Sequence, residues 1–247
     1  KEGKRMLEKE WVFLDENISQ AQAEAYAELF NIPVIVAKVL LNRGFTDAAD
    51  AKKFLDKNSD SFYSPNLLRD MDKAVCRIKE AIDKKENVVV YGDYDVDGIT
   101  STALLVSFLR GQGVNAQAYI PDRQNEGYGI NKAAVKKISS GGATLLISVD
   151  TGITAFEETK YAKELGCDVI ITDHHECKQE LPEAIAVINP KRTDCDYPFK
   201  DLAGVGVAFK LVCAASEKSE RELLDEYADI VALGTIADVV SLKDENR

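Results

Sequence analysis

From Asn87 onward the chain alternates short apolar runs with longer stretches of helical period, and no other feature restricts its fold as strongly. The runs are VVVY, AQAYI, TLLISV, DVIIT and AVINP, with helices expected between them from Ile99, Asn131 and Thr154. A strand with one wet face alternates polar and apolar residues, whereas a strand buried on both faces reads as an apolar run. Apolar runs separated by helices therefore predict βαβ units, that is, an α/β fold in which a parallel sheet carries helices on both faces. In such sheets functional groups gather beyond the carboxyl ends of the strands.

Residues 1–86 read as a helical N-terminal region, and residues 87–247 as the α/β core. SQAQAEAYAELF is helical in pattern, Pro33 opens a helix running to Arg43, and Gly44 ends it. Thr46 is the expected N-cap of TDAADAKKFLD. DKNSDSFYSPN, rich in turn formers, is expected to be a loop. In DMDKAVCRIKEAIDKK, Met71, Val75, Ile78 and Ile82 form a stripe that suits a helix packed on one face.

Hydrophobic residues make up 45% of the chain and charged residues 30%, which excludes global disorder. No apolar run approaches the roughly 20 residues that span a bilayer. The start KEGKRMLEKEW lacks the apolar segment of a signal peptide, so no membrane association and a cytoplasmic location are expected. Five cysteines without a C-x-x-C pair agree, since they read as reduced thiols rather than a disulfide frame or a structural zinc site. Lys plus Arg is 31 and Asp plus Glu is 42, giving a charge of −11 that disfavours gripping nucleic acid by surface charge alone. Nucleic acid is not excluded as a substrate, because divalent metals turn a carboxylate cluster into a phosphate site.

Three strand ends carry the chemistry. VVVY runs into Gly92-Asp93-Tyr94-Asp95-Val96-Asp97-Gly98, TLLISV into Asp150-Thr151-Gly152, and DVIIT into Asp173-His174-His175. Any one of these Asp-rich turns is equally well a helix cap. Their convergence on one sheet edge, together with both of the chain's histidines, favours a divalent-metal site. Carboxylates with imidazole suit Mn²⁺ or Mg²⁺, and a carboxylate shared by two ions would organise a two-metal hydrolase. Asp238, in the apolar segment IVALGTIADVVSL, reads equally as a helix cap and as a further ligand. In the loop from Pro121 to Gly129, Arg123 suits phosphate and Tyr128 suits base stacking, although an ion pair and a packed ring are the structural alternatives. Gly204-Val205-Gly206 suggests close backbone approach at a helix start, or more weakly a phosphate cradle.

YGDYDVDGITSTALL, YIPDRQNEGYGI, SVDTGIT, TDHHE, INPKRTDCDYPFKDLAGVGVAFKL and ALGTIADVVSL follow one another in an order that resembles the DHH phosphoesterase superfamily, more narrowly its RecJ-like branch of single-strand-specific DNA exonucleases. LLNRGFTDAADAKKFL and SPNLLRDMDKAVCRIKEAI extend the resemblance toward the N-terminus. It implies that Asp95 and Asp97 are metal ligands, that Asp150 bridges two metals, and that His174 and Asp238 are ligands. His175 matches a histidine near the reacting phosphate. Asp93 stands where several other branches carry a histidine ligand and RecJ-like members commonly have Asp, which implies that it supports a metal. The implied activity is metal-dependent 5′-to-3′ hydrolysis of single-stranded DNA in repair and recombination, with a single-strand-binding protein and a helicase as candidate partners.

RecJ-like enzymes continue into a further substrate-binding domain that this sequence does not contain, so the expectation is a catalytic-core fragment. Two other readings stand beside this one: a DHH enzyme acting on short RNA, cyclic dinucleotides or pyrophosphate, and a non-catalytic scaffold that assists replication. The presence of Asp95, Asp97, Asp150, His174 and Asp238 favours the enzyme.

Overall fold

Five strands, all parallel, form one sheet in the order β2-β1-β3-β4-β5. They are β1 (Asn87–Gly92), β2 (Asn115–Tyr119), β3 (Leu145–Val149), β4 (Asp168–Thr172) and β5 (Ala186–Ile188). The computed structural model describes residues 18–55 and 62–247. It divides into two units, 1–58 and 59–247.

In the first unit, α1 (Gln20–Phe30) is capped by Ser19, and α2 (Val34–Asn42) starts after Pro33, whose ring pre-sets the backbone angle for a helix start. Gly44, at φ 87°, follows the end of α2. α3 (Ala48–Leu55) departs from expectation at its cap. Asp47, not Thr46, accepts the backbone N–H groups of Ala49 at 2.8 Å and Asp50 at 3.1 Å. Its carboxylate, unlike a hydroxyl, also complements the positive end of the helix. The Tyr26 hydroxyl donates to the Thr46 carbonyl. Of the expected loop at 56–66, residues 56–61 lie outside those described, and 65–67 form a 3₁₀ turn.

In the second unit β1, β3, β4 and β5 are buried on both faces as their apolar runs require. The edge strand β2, within the expected run AQAYI, fully buries only Ala116, because no strand covers its outer side. Val88, Val90, Leu145, Ile147 and Ile170 face α4 (Met71–Lys84), α5 (Val96–Gly111) and α8 (Gly204–Ala215). The alternate residues Val89, Tyr91, Leu146, Val169 and Ile171 face α6 (Lys132–Ser140) and α7 (Phe156–Glu164). α9 (Glu220–Ala237) packs on α5 and α8 and is opened by a capping box of Ser219 and Glu222. The expected boundary at residue 86 falls within this unit, where α4 buries Met71, Ala74, Ile78 and Ala81. α5 begins at Val96, three residues before the expected start, because Asp95 caps it. No helix among the described residues is long and apolar enough to cross a membrane.

Candidate metal centre

Strand register lines up the acidic side chains. Gly92 of β1 pairs with Val149 of β3, and Val149 pairs with Thr172 of β4. The next residue on each strand is Asp93, Asp150 and Asp173, so three carboxylates leave the sheet in one row, about 4.8 Å between neighbouring strands. The row straddles the gap between β1 and β3, where the strand order reverses and open α/β sheets leave a crevice.

Asp97 lies in the first turn of α5 and is buried. The backbone N–H groups of Gly204 and Val205 donate to its two oxygens at 2.7 Å each. The N-terminus of α8 therefore holds a protein carboxylate, and the phosphate-cradle reading of Gly204-Val205-Gly206 gives way to that of close approach. A Cβ on Gly204 would lie 2.6 Å from Asp150 Oδ1 and 2.7 Å from its Cβ, so only glycine fits there. Asp95 is a helix cap that also lies beside two further acids. Its Oδ1 accepts the Gly98 N–H at 2.9 Å as the cap of α5, and it also stands in a ligand set with Asp93 and Asp150.

Among the described residues, three sets bring ligand atoms within 4.8 Å of one another: Asp97–His174–Asp238, Asp93–Asp95–Asp150 and Asp150–His174–His175. His174 Nε2 lies 3.1 Å from Asp150 Oδ1, 3.7 Å from Asp238 Oδ2 and 3.9 Å from Asp97 Oδ2. Asp150 thus belongs to the carboxylate set and also abuts the histidine of the first. It leaves β3 at φ 57°, in the left-handed region that aspartate tolerates better than most residues.

These groups fit divalent cations. Asp150 Oδ1 and His174 Nε2 are buried and have no hydrogen-bond partner, a costly state for polar atoms. Burial, with the charges of Asp97 and Asp95, pushes the Asp150 carboxyl up to about 10. Burial likewise raises Asp93 and Asp97 above the usual carboxylate range. Oxygen-rich donors with one or two imidazoles and no thiolate suit Mn²⁺ or Mg²⁺.

His175 is held from behind by Asp173, which sequence reasoning left without a role of its own. Asp173 Oδ1 accepts from His175 Nδ1 at 2.7 Å and from the backbone N–H of His174 and His175; Oδ2 accepts from Ile153 N at 2.9 Å. Burial alone would raise Asp173, but the hydrogen bonds and charge of His175 hold it below the usual range. The Asp173 carboxylate in turn raises His175 to about 9. On the solvent side the Tyr128 hydroxyl lies 3.4 Å from His175 Nε2. Tyr128 is 57% exposed, with its ring meeting Tyr94 and His175 edge-on. The Arg123 guanidinium sits 5.1 Å from the centroid of the Tyr94 ring, which meets Tyr128 edge-on. The Tyr91 hydroxyl donates to Gly129 O at 2.8 Å and ties this loop to β1.

All the expected site residues therefore assemble on one edge: Asp93, Asp95, Asp97, Asp150, His174 and Asp238 around the ligand sets, with His175 and Tyr128 at the rim and Arg123 beyond Tyr94. Asp173 carried a signal in its position, as the third acid directly after a strand. Tyr94 carried none, and Gly204-Val205 signalled close backbone approach without naming Asp97 as the group approached, because that partner is distant in sequence.

Residues 87–235 match the family described as "DHH family, N-terminal domain". The chain is 49% identical over 228 residues to the single-stranded-DNA-specific exonuclease RecJ of Bacillus subtilis, covering 92% of this chain and 28% of the relative. It is 41% identical to that of Haemophilus influenzae, covering 79% of this chain and 36% of the relative. Among solved structures it is similar to exonuclease RecJ bound to manganese, with 37% identity, TM-score 0.65, and coverage of 73% of this chain and 46% of that one. It is also similar to RecJ in complex with Mn²⁺ from Thermus thermophilus, with 30% identity, TM-score 0.72, and coverage of 93% and 32%. The chain spans less than half the length of each of these relatives.

Proposed function

Because the chain belongs to the DHH family, matching its N-terminal domain over residues 87–235, we propose that it hydrolyses phosphodiester bonds of single-stranded DNA with two divalent ions. The reaction is removal of nucleotides from the 5′ end, and Mn²⁺ or Mg²⁺ is the cofactor. The observation that carries this reading is the position of Asp150, shared between the Asp93–Asp95 set and the surroundings of His174. The relatives named as single-stranded-DNA-specific exonucleases supply the substrate class.

When bound, two such ions supply an activated water and neutralise charge on the phosphoryl and leaving oxygens. Asp97, Asp150, His174 and Asp238 would hold one ion, and Asp93, Asp95 and Asp150 the other. The α8 N–H groups fix the rotamer of Asp97, as outer partners do for ligands generally. His175, oriented through Nδ1 by Asp173, presents Nε2 beside the Tyr128 hydroxyl at the rim and would donate from it to a phosphate oxygen. Arg123 would contact the backbone phosphate, and Tyr128 would stack on a base. Residues 87–247 form the phosphoesterase core on this reading, with 1–86 as a helical region before it.

The role is DNA repair and recombination in the cytoplasm. An enzyme confined to single strands needs a helicase to open duplexes, and a single-strand-binding protein would present the product. The test is digestion of 5′-labelled single-stranded DNA in Mn²⁺, beside duplex DNA, short RNA, cyclic dinucleotides and pyrophosphate. Release of mononucleotides from single-stranded DNA alone is expected. Preference for one of the other substrates would replace the reading with that activity, and no hydrolysis of any would favour the scaffold.

A further inference from the structure

Away from the ligand sets, a buried ion pair joins the segment that follows Asp238 to the middle of α8. Lys210 and Glu245 each have side chains only 3% exposed, and Lys210 Nζ lies 2.7 Å from Glu245 Oε1. Glu245 also accepts the Tyr63 backbone N–H at 2.8 Å and the Tyr197 hydroxyl. Lys210 donates in addition to the Tyr63 carbonyl at 2.8 Å and lies 4.8 Å from the centroid of the Phe62 ring. Next in sequence, Asn246 Nδ2 donates to Asp201 O at 2.6 Å and to Ser241 O at 3.1 Å.

Burying two charges is expensive and seldom stabilises more than an apolar pair would; the best-attested return is a fixed register. Here the register that is fixed is that of the site. Asp201 lies just ahead of Gly204 and Val205, whose N–H groups hold Asp97. Asp238 ends α9, and Glu245 follows it by seven residues. The backbone N–H of Asp238 is tied to Gly234 O at 3.0 Å at the end of α9, but the chain beyond it turns away from the helix. The next residue, Val239, is 86% exposed and sits at φ 60°, an unfavourable conformation for a β-branched side chain. Asp238 also adds negative charge at the negative end of a helix.

We propose that Glu245 and Asn246 are positioning residues for the metal centre: by clamping the chain after Asp238 to Lys210 and Asp201, they set the distance from Asp238 to Asp97 and His174. The inference rests on the two-ion reading above. It assigns the clamp to the ion that Asp238 would hold, because Asp93, Asp95 and Asp150 follow β1, cap α5 and follow β3 and make none of the clamp's bonds.

The test is Mn²⁺ titration by calorimetry and electron paramagnetic resonance on the wild type, Glu245→Gln and Asn246→Ala, with a thermal melt of each. The wild type should bind two ions. Glu245→Gln should weaken one of them about tenfold or more, the range for loss of an outer partner, and leave the other unchanged. Asn246→Ala, which keeps the ion pair, should weaken the same ion by a smaller factor, and it carries the test if Glu245→Gln does not fold. An Asp95→Asn control should weaken the opposite ion. Lowered melting with both affinities intact would overturn the clamp as a positioning device, as would equal weakening of both ions. A wild type that binds fewer than two ions would overturn the two-ion reading itself, and the clamp with it.

Discussion

His174 Nε2 and Asp150 Oδ1 face each other across 3.1 Å in a buried space, and neither makes a hydrogen bond. Two buried polar atoms aimed in this way are better suited to share a cation than to satisfy each other. Their approach joins β3 to β4 at the edge where the acidic row begins.

Asp150→Asn should abolish cleavage and change the proton balance of metal binding. Because the carboxyl is raised to about 10, it is protonated at neutral pH without metal and must lose that proton to the buffer when a cation binds. Mn²⁺ binding at pH 7 should therefore release about one proton from this group, read by calorimetry in buffers of different ionisation enthalpy. Affinity should rise with pH. The sign for folding is opposite: between 3.8 and about 10 the unfolded chain has lost the proton that the folded chain keeps, so metal-free stability falls as pH rises. The amide variant should flatten both dependences while melting cooperatively. Wild-type turnover by this variant would remove Asp150 from the bridging position.

Mn²⁺ should raise the melting temperature. At free metal about 100-fold above Kd, each ion adds about 2.7 kcal/mol. That corresponds to about 5–10 °C for a chain of this size. His174→Ala should lose much of the shift, and differential scanning fluorimetry with and without millimolar Mn²⁺ is sufficient to measure it. An unchanged melting curve in the wild type would argue against a preformed site.

Asp173→Asn should bring the imidazole of His175 from about 9 down toward its ordinary value of 6.5. A raised histidine pKa contributes stability that is complete below 6.5 and lost as pH rises through about 9, so the variant should lose stability most on the acidic side. The two-histidine NMR titration of the metal-free protein reads this directly. A His175 value that stays near 9 would mean that the surrounding acids, not Asp173, set it.

Gly204→Ala should cripple metal binding, since the added methyl meets Asp150 at 2.6–2.8 Å on three of its atoms. Gly206→Ala, two residues along the same helix, meets Leu202 at 3.3 Å and should be far milder. Equal Mn²⁺ affinities for the two variants would show that Asp150 can shift without loss.

The sheet was legible because strands buried on both faces need apolar runs, and the acidic strand ends were legible because each follows such a run directly. Parallel register turned three separate motifs into one row, and it could be anticipated only as convergence. What stayed hidden was which backbone groups and outer partners hold the converging side chains. The clamp of Asp97 by Gly204 and Val205 spans more than a hundred residues and uses backbone atoms, which leave no signature in side-chain identity. Asp47 displaced Thr46 as a cap for a local reason, since two adjacent residues both had the chemistry and only the backbone path distinguishes them.

Of the six acidic and imidazole side chains proposed to hold the ions, Asp238 comes latest in the chain, more than sixty residues after His174. Asp93 through His174 leave the ribosome well before α8 can hold Asp97 and before α9 delivers Asp238. A partly made chain therefore carries most of the acids of the centre without the geometry to use them. On the proposed two-ion reading, the His174 side of the centre is assembled only once α9 has docked on α5 and brought Asp238 to it.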